Sequence, residues 1–405
     1  MKLHICMLLW LRYGEKTETY PTQEILSHLT RFGHSVTWIV SSEEADEIRE
    51  TTFNCARVFV IPCRYDKNPI KMIIDRASYA IRRTSFILNN FKHERYNIIL
   101  VRDDLFDGLL ALYLQRRYRV PFVFEMSIPV EQSRETRKFY SKRQNLQRII
   151  SEIEARLIVH ILRNADLILP ISRWLGDDLV RKGVDRSKIT PLPEGVDPRR
   201  FLNRDMGAVA VRDKYGLGDF RIVIYVGTMD KMRHLDVLIH AFSRVRASRG
   251  DVKLLMVGDG TGRSDLEKLA DKLGIRDDVV FTGYVHFRDV PDFISAANLG
   301  ISAVPPLDFY KVSSPIKMLE YMAMAKPVVA NEEIPDHKEV VGASGGGILV
   351  RFDAGAFADG IIELLDDLGH AEEMGRRGRD WVVKNRSYDV IARELENGCL
   401  EVLKR

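Results

Sequence analysis

Glycines close three of the apolar runs in the second half of the chain. Gly227 follows RIVIYV, Gly258 follows VKLLMV and Gly283 follows VVFT. Glycine at a strand end lets a phosphate or a nucleotide approach the backbone, and the N-terminus of the next helix favours an anion. A tight strand-to-helix turn needs the same residue type. The pattern therefore predicts either a turn or a phosphate cradle.

The segment GDGTGR, residues 258–263, bears on the choice of cofactor. It has glycines at Gly258, Gly260 and Gly262 but lacks the third spacing of the fingerprint G-x-G-x-x-G. This argues against NAD as the ligand. No His/Cys cluster has the spacing of a zinc site, and no carboxylate cluster demands a metal. We therefore expect chemistry without a metal or a bound cofactor.

The elements that position these glycines follow from hydrophobic patterning. In the first half the predicted strands are LHICMLLW, HSVTWIV, ARVFVIP, YNIILV, VPFVFE and ADLILPIS. In the second half they are RIVIYVG, VKLLMVG, VVFTG, NLGISAV, KPVVA and GGILV. Helical patterns fall between them, which predicts an α/β fold with two doubly wound, Rossmann-like domains. Such sheets bind ligands at the carboxyl ends of their strands.

The length of 405 residues is sufficient for two domains. We predict the first domain over 1–195 and the second, with a linker, over 196–384. The segment Pro191–Asp219 is rich in Pro and Gly, and we predict a linker with a short helix there. Three helical stretches are predicted from Ala354 to the end of the chain.

Composition indicates a soluble globular protein, with 45% hydrophobic and 29% charged residues. The four cysteines form no C-x-x-C pair, so we expect a reducing compartment without a disulfide framework. The apolar run Leu3–Leu11 is too short to span a membrane. It follows a single lysine and has no small-residue cleavage site, so a first strand is expected rather than a signal peptide. These observations predict a cytoplasmic protein.

Positive charge is concentrated in the first half of the chain. Residues 1–200 contain 33 Lys and Arg against 25 Asp and Glu, whereas residues 201–405 contain 28 against 32. Basic clusters lie at 116–119, in a predicted helix over Leu105–Arg117, and at 134–143, in a predicted charged helix over about Ser133–Arg163. They indicate either solvated helix faces or binding to an anionic membrane surface or a phosphorylated acceptor. No nucleic-acid motif accompanies the charge.

An ordered set of segments resembles the retaining glycosyltransferases of family 4. The matching segments are PISRWLGDDLVRKGVDRSKITPLPEGVDPRRF, IYVGTMDKMRHLDVLIHAF, LLMVGDGTGRSDLEKLADKLGIRDDVVFTGYV, SSPIKMLEYMAMAKPVVA and RSYDVIARELENGCLEVLKR. The resemblance implies the GT-B fold, in which two Rossmann-like domains face each other across a cleft. It also implies a C-terminal helix, about 385–405, that packs back onto the first domain.

The resemblance implies that a nucleotide-sugar, with UDP or GDP as the nucleotide, binds mainly to the second domain as a co-substrate. Glu320, in the segment EYMA, would accept hydrogen bonds from the ribose hydroxyls. The N–H groups of Ile316 and Lys317 would hold the diphosphate at a helix N-terminus. The base would lie beside Tyr284 and Val285.

Other donor contacts implied by the resemblance surround the diphosphate. Gly227 and Gly258 would lie against it at their strand ends. Ser313 and Ser314 would either contribute hydroxyls or cap the helix. In the first domain only Gly14 is available for the glycine loop that closes over the diphosphate, and it is equally typical of an ordinary turn.

Two positions depart from the family pattern. Thr228 stands where the family often has an arginine, and Val312 stands where it has a first glutamate facing the donor sugar. Arg233 matches the family lysine that neutralises the diphosphate. Lys317 or Lys231 would replace the missing arginine. We therefore assign Arg233 and Lys317 a catalytic role as the groups that stabilise the leaving diphosphate.

The first domain offers carboxylates at two strand ends. Where the family has a His or Asp near the reacting sugar, this chain has Glu125, followed by Ser127. Glu125 is predicted either to act directly in catalysis or to pair with Arg102 or with the region of Arg134. Asp103 and Asp104 close another strand end and are predicted to hold the acceptor.

The predicted function is transfer of a sugar from a nucleoside-diphosphate sugar to an acceptor, with retention at the anomeric carbon. The acceptor class stays open between a glycan, a lipid-linked molecule and a small molecule. One alternative is a catalytically silent GT-B subunit that binds a nucleotide or a partner, suggested by Thr228 and Val312. Another is a different GT-B enzyme such as a sugar epimerase, which the order of the motifs disfavours. Peripheral binding to the inner membrane face is the corresponding hypothesis for the basic half.

Overall fold

The structure is a computed structural model that describes residues 1–12, 21–63, 69–127, 129 and 144–405. These residues form two compact units. The first comprises Met1–Pro193 and Ile391–Arg405, and the second comprises Glu194–Val390. Gly14 and the predicted basic cluster at 134–143 lie outside the described residues.

The first unit is built on a seven-stranded sheet. Its strands are β1 (His4–Arg12), β2 (Ser35–Ser42), β3 (Arg49–Phe53), β4 (Ala56–Pro62), β5 (Ile98–Arg102), β6 (Phe122–Met126) and β7 (Leu167–Pro170). The strand order is β3-β4-β2-β1-β5-β6-β7. The described residues of β2 and β4–β7 are almost all buried, as expected for parallel strands covered on both faces.

The edge strand β3 was not predicted, and it makes the sheet mixed rather than purely parallel. It pairs antiparallel with β4 through a hairpin at Asn54 and Cys55, which have φ values of 47° and 67°. Its sequence RETTF is polar and mostly exposed, because an edge strand needs little apolar surface. Hydrophobic patterning alone therefore could not find it.

Helices connect the strands of the first unit. They are α1 (Pro21–Arg31), α2 (Pro69–His93), α3 (Leu105–Tyr118), α4 (Gln144–Asn164) and α5 (Arg173–Arg181). Asp104 caps α3, and its side chain accepts a hydrogen bond from the N–H of Asp107. Gly108 brings α3 close to α4, because a Cβ there would lie 3.0 Å from the Ile161 side chain.

The second unit contains a parallel six-stranded sheet, and all six predicted strands are present. They are β8 (Arg221–Val226), β9 (Val252–Val257), β10 (Val279–Gly283), β11 (Leu299–Ser302), β12 (Val328–Asn331) and β13 (Gly347–Val350). The order is β10-β9-β8-β11-β12-β13. Alternate residues of β8 enter different cores: Tyr225 packs on one face of the sheet, and Ile224 on the other.

Helices cover both faces of this second sheet. They are α6 (Asp205–Lys214), α7 (Asp236–Ser248), α8 (Arg263–Lys272), α9 (Val290–Ser295), α10 (Asp308–Lys311), α11 (Ile316–Ala323), α12 (Pro335–Ser344), α13 (Ala354–Asp366) and α14 (Leu368–Asn385). The last helix, α15 (Tyr388–Val402), follows α14 directly, and Ile391–Arg405 belong to the first unit. The predicted linker contains its single short helix as α6.

Hydropathy bears on the membrane hypothesis. Within the described ranges, no helix combines the length and the apolar character needed to cross a membrane.

Candidate functional site

The N-terminus of α11 is the centre of the candidate site. The helix begins at Ile316, with Pro315 at the N-cap position and no side chain capping it. The N–H groups of the first turn of any α-helix have no partner within the helix, and the helix dipole makes that end favourable to anions. The predicted diphosphate contacts, Ile316 and Lys317, are thus the first two helical residues.

Lys317 lies directly against Gly227, at the end of β8. Gly227 has a φ of +147°, and a Cβ on it would lie 2.1 Å from Lys317 Cε and 2.6 Å from Lys317 Nζ. The same Nζ lies 5.5 Å from the centre of the Tyr225 ring. The space that Gly227 leaves open is therefore filled by the lysine side chain, a use of the glycine that the sequence analysis did not foresee.

The pKa values of Lys317 and Glu320 are both shifted by their surroundings. Burial, with a further contribution from Arg233, lowers the pKa of Lys317 to about 7, against the opposing effect of Glu320. Burial raises the pKa of Glu320 to about 7, against the opposing effect of Lys317. Glu320 lies one helical turn after Lys317, so the two side chains share one environment. Titratable groups shifted in this way are typical of functional sites.

Arg233 supplies the third charge of this cluster. It ends the 3-10 turn Lys231–Arg233, and its guanidinium lies 4.9 Å from the centre of the Tyr310 ring. Lys231, in contrast, is exposed and pairs with Asp265 at 2.8 Å. Of the two lysines named as replacements for the missing arginine, Lys317 therefore lies with Arg233, whereas Lys231 is paired elsewhere.

The glycines after β9 serve close packing of the backbone. A Cβ on Gly258 would lie 2.1 Å from the carbonyl oxygen of Gly227, and one on Gly260 would lie 2.5 Å from the carbonyl carbon of Met229. The N–H of Gly262 donates to the carbonyl of Met229 at 2.8 Å. Of the two interpretations of this glycine-rich run, the tight turn therefore has a direct structural cause. Contact of Gly258 with a donor stays a prediction.

Ser313 and Ser314 do not cap α11, so that part of the prediction was wrong. The Ser313 hydroxyl donates to the carbonyl of Tyr310 at 2.6 Å. The Ser314 hydroxyl is buried and donates to Asp336 Oδ2 at 2.8 Å. Because Ser314 Oγ also accepts from the N–H of Glu194 at 3.2 Å, its bonding is internal to the unit.

A buried ion pair completes this internal network. Arg386 donates to Asp336 Oδ1 at 2.6 Å and to the carbonyl of Glu194 at 3.2 Å. Asp336 also holds Ser314, so the network fixes the segment that leads into α11. No sequence signal pointed to it, because Asp336 and Arg386 are 50 residues apart.

The predicted base contacts lie after β10. Tyr284 is exposed, and its ring meets that of His286 edge-on at 5.4 Å. Val285 is partly buried and packs against the core beneath. Thr228, at the position of the missing arginine, is exposed immediately after Gly227. Val312 is half-buried at the end of α10.

In the first unit, Glu125 pairs with Arg102, which was one of its two predicted ion pairs. Arg102 donates to Glu125 Oε1 at 2.9 Å, and both side chains are buried. Asp103, with a φ of 54°, accepts from the N–H of Ser127 at 2.7 Å and from the Ser127 hydroxyl. The strand ends of β5 and β6 are therefore tied together by these carboxylates. A catalytic role of Glu125 stays a prediction.

Asp104 has a structural task as the cap of α3. Burial, with a further contribution from Asp107, raises the pKa of Asp104 to about 6. Asp107 in turn forms a buried, two-pronged ion pair with Arg83, in which Arg83 Nη2 lies 2.9 Å from Asp107 Oδ2. Acceptor binding by Asp103 and Asp104 stays a prediction.

Both halves of the chain match families of known proteins. Residues 22–200 match the family described as Glycosyltransferase Family 4, and residues 220–367 match the family described as Glycosyl transferases group 1. The two matches together span most of the chain. Each half of the chain thus matches a glycosyltransferase family.

Among curated relatives, this chain is 30% identical over 217 residues to alpha-D-kanosaminyltransferase of Streptomyces kanamyceticus. That match covers 53% of this chain and 55% of the relative. It is 28% identical over 228 residues to the GDP-mannose-dependent alpha-(1-6)-phosphatidylinositol monomannoside mannosyltransferase of Mycolicibacterium smegmatis, covering 55% of this chain and 59% of the relative. The chain thus spans little more than half the length of these relatives.

Among solved structures, sucrose-phosphate synthase from Thermosynechococcus elongatus is similar in fold. The TM-score is 0.74 at 20% identity, over 97% of this chain and 98% of the other. At this identity the likeness shows the fold alone. It confirms the predicted α/β class with two Rossmann-like domains of the GT-B type.

Proposed function

We propose that this chain is a retaining glycosyltransferase that transfers a sugar from a nucleoside-diphosphate sugar to an acceptor. The observation that carries the proposal is the cluster of Lys317, Glu320 and Arg233 at the N-terminus of α11. Two cations and a run of helix N–H groups suit a diphosphate, and a carboxylate one turn further suits a pair of vicinal hydroxyls. Few other ligands combine these two chemistries at that spacing.

In the chemical step, the site must stabilise the leaving diphosphate. The bond between the anomeric carbon and the diphosphate oxygen breaks, and its electron pair stays on the diphosphate. The acceptor hydroxyl oxygen forms the new bond on the same face of the sugar, and its proton passes to the departing diphosphate oxygen. Lys317 and Arg233 would neutralise the charge that develops on the diphosphate. Each hydrogen bond to a charged group contributes roughly 1.5–3 kcal/mol.

The depressed pKa of Lys317 fits this role. Burial and Arg233 favour the neutral amine. An arriving diphosphate supplies the negative charge that favours the ammonium form, so binding would draw a proton onto Nζ. Glu320 would complete its ionisation when ribose hydroxyls donate to it, because hydrogen bonds stabilise the carboxylate.

The acceptor belongs to the proposal as a class only. One relative is named for transfer to phosphatidylinositol monomannoside, and another is named for kanosaminyl transfer. These names leave a lipid-linked acceptor and a small-molecule acceptor both open for this chain. A cytoplasmic location, peripheral binding to an anionic membrane face and independence from metals are part of the same proposal.

A catalytically silent subunit is the second candidate, because Thr228 and Val312 replace charged residues of the family. We expect the active alternative to hold. A panel of nucleoside diphosphates and nucleotide-sugars, followed by thermal unfolding, identifies the preferred base through the rise in Tm that a ligand of the native state causes. Release of nucleoside diphosphate from the stabilising donor then separates the candidates. Stabilisation without any turnover would favour the silent subunit, and no stabilisation by any compound would contradict both.

A further inference from the structure

The outer face of α3 carries apolar side chains that are exposed in the described part of the chain. Phe106 is 71% exposed and Tyr113 is 51% exposed, and Leu109 lies between them at helical spacing on the same side. The opposite side of α3 is buried in the core of the first unit through Ala111 and Leu114. This helix therefore has apolar residues on both faces, which the packing of the unit alone does not require.

A matching stripe runs along α4. Ile149 is 57% exposed and Ile153 is 52% exposed, and Arg156 and His160 follow at spacings of three and four residues, which places all four on one side of the helix. The acidic neighbours Glu152 and Glu154 are half-buried.

The two stripes meet at a cavity of about 410 Å³. It is lined by Leu109, Leu112, Tyr113, Arg116 and Arg117 of α3 and by His160 of α4. We call this combined surface, with Phe106, Ile149, Ile153 and Arg156, the α3–α4 face. Its apolar residues lie beside basic ones, since Arg116, Arg117 and Arg156 are all exposed.

We propose that the α3–α4 face docks onto an anionic lipid surface, with its apolar side chains inserted at the interface and its arginines on lipid phosphates. Docking of this kind would bring the enzyme to lipid-linked acceptors. This link to the acceptor is the part of the proposal that rests on the proposed function. Charge selects the occupant. Exposed arginines around an apolar centre complement anionic headgroups, and each contributes to binding within a Debye length of the surface.

A second copy of this chain fits the face less well. Symmetric self-pairing across a two-fold axis brings the same patch of each copy together. Arg116, Arg117 and Arg156 of one copy would then face the same cations of the other. Self-association is therefore the outcome that the experiment must exclude.

The test is co-sedimentation of the full chain with vesicles. One set contains phosphatidylglycerol in phosphatidylcholine, and the other contains phosphatidylcholine alone. Phe106→Ser/Tyr113→Ser removes apolar insertion, and Arg116→Glu/Arg117→Glu reverses the charge. The matched control is Ile81→Ser/Arg82→Glu, because Ile81 is 70% exposed and Arg82 is exposed beside it on α2 of the same unit.

We expect the wild-type chain to bind the anionic vesicles and to leave the neutral ones. Each α3–α4 double variant should bind at least about tenfold more weakly, and the control should match the wild type. High salt should weaken wild-type binding without abolishing it, because insertion of apolar groups is not screened. No anionic binding by the wild type, equal binding by the variants, or equal loss in the control would overturn the proposal.

Two further measurements on the same preparations separate the alternatives. Sedimentation velocity without vesicles reports self-association, and a dimer that Phe106→Ser/Tyr113→Ser converts to a monomer would assign the face to a second copy instead. Nucleoside-diphosphate binding in vesicle-free solution should be equal in all four proteins. If that binding is absent throughout, the proposed function fails, whereas loss of vesicle binding alone contradicts only the docking.

Discussion

Lys317 and Glu320 lie one helical turn apart, and their surroundings bring the pKa values of both to about 7. A lysine in this state is easily protonated by an anionic ligand, and a glutamic acid in this state is easily ionised by hydrogen-bond donors. The neighbouring Met318 and Leu319 anchor α11, because both are fully buried in the core. The pair therefore makes sense as a ligand site, and its predictions concern ligands first.

Glu320→Gln should remove the preference for ribose hydroxyls while keeping the size of the side chain. Wild type should bind the preferred nucleoside diphosphate about tenfold or more tightly than its 2′-deoxy analogue, because a charge-assisted hydrogen bond is lost. In Glu320→Gln this difference should shrink to about twofold or less. Titration calorimetry with both ligands measures it. Equal discrimination by the variant and the wild type would show that the ribose contacts lie elsewhere.

Lys317→Met and Arg233→Ala should each weaken nucleoside-diphosphate binding by about tenfold. The double variant should bind more weakly than either single variant, with non-additive effects, because both groups act on one anion. Lys231→Met is the matched control and should bind as the wild type does, since Lys231 is exposed and paired with Asp265. Unchanged affinity in both single variants, or a loss in the control of the same size, would contradict the assignment.

Nucleotide affinity should reach its maximum near neutral pH. Above about pH 7 the free enzyme has lost the Lys317 proton that the bound state requires, so affinity falls as the pH rises. Below about pH 7 the free enzyme has protonated Glu320, which the bound state requires ionised, so affinity falls as the pH decreases. Each variant should flatten one limb: Lys317→Met the alkaline limb and Glu320→Gln the acidic one. A profile of the same shape in wild type and variants would disprove these two groups as its origin.

At the scale of elements, Gly227 at the end of β8 lies directly against Lys317 at the start of α11. Gly227→Ala should destabilise the fold by about 2 kcal/mol or more, because the new methyl group meets Lys317 and the backbone conformation is strained. It should also lower nucleotide affinity. Gly274→Ala controls for strain alone, because Gly274 also has positive φ but nothing within 4 Å of its Cβ position.

The companion variant Gly227→Ala/Lys317→Ala separates the clash with Lys317 from the backbone strain. Removing the lysine side chain should restore part of the Tm that Gly227→Ala loses, while nucleotide binding stays weak. Urea unfolding and titration calorimetry report the two quantities. If the double variant is no more stable than Gly227→Ala, the clash with Lys317 is not the reason for this glycine.

The elements themselves were largely predictable from the sequence. Buried parallel strands such as β8 and β9 are continuous apolar runs that end in glycine, so their positions can be seen directly. The strand β3 was missed because its polar sequence carries no such signal. A helix N-terminus at Ile316 and Lys317 was predicted, but the partners of Ser313 and Ser314 were not, because tertiary packing determines them.

Only those site residues that lie in a single segment or in the ordered family motifs could be predicted from the sequence. Glu320, Lys317 and Arg233 were named from the sequence. In the structure, Lys317 interacts electrostatically with both Arg233 and Glu320. The filling of the Gly227 space by Lys317 could not be predicted, since side-chain direction depends on packing. The ion pair of Arg386 with Asp336 joins distant segments, and a single sequence contains no record of such contacts.

At the scale of the whole molecule, the chain is divided in charge as well as in structure. In the proposed function, Lys317, Arg233 and the glycines at the strand ends of the second unit bind the donor. The exposed apolar and basic α3–α4 face belongs to the first unit. A single polypeptide thus carries two chemically different surfaces, and each can be altered without touching the other.

The most direct test of the central claim is to follow a nucleotide-sugar by proton NMR in the presence of the protein. The donor is the one that stabilises the chain most, and early time points are taken before the released sugar mutarotates. The account predicts release of the nucleoside diphosphate together with a sugar whose anomeric configuration is that of the donor, and Glu320→Ala should abolish this release without unfolding the protein. Inverted configuration, or wild-type release by Glu320→Ala, would contradict it.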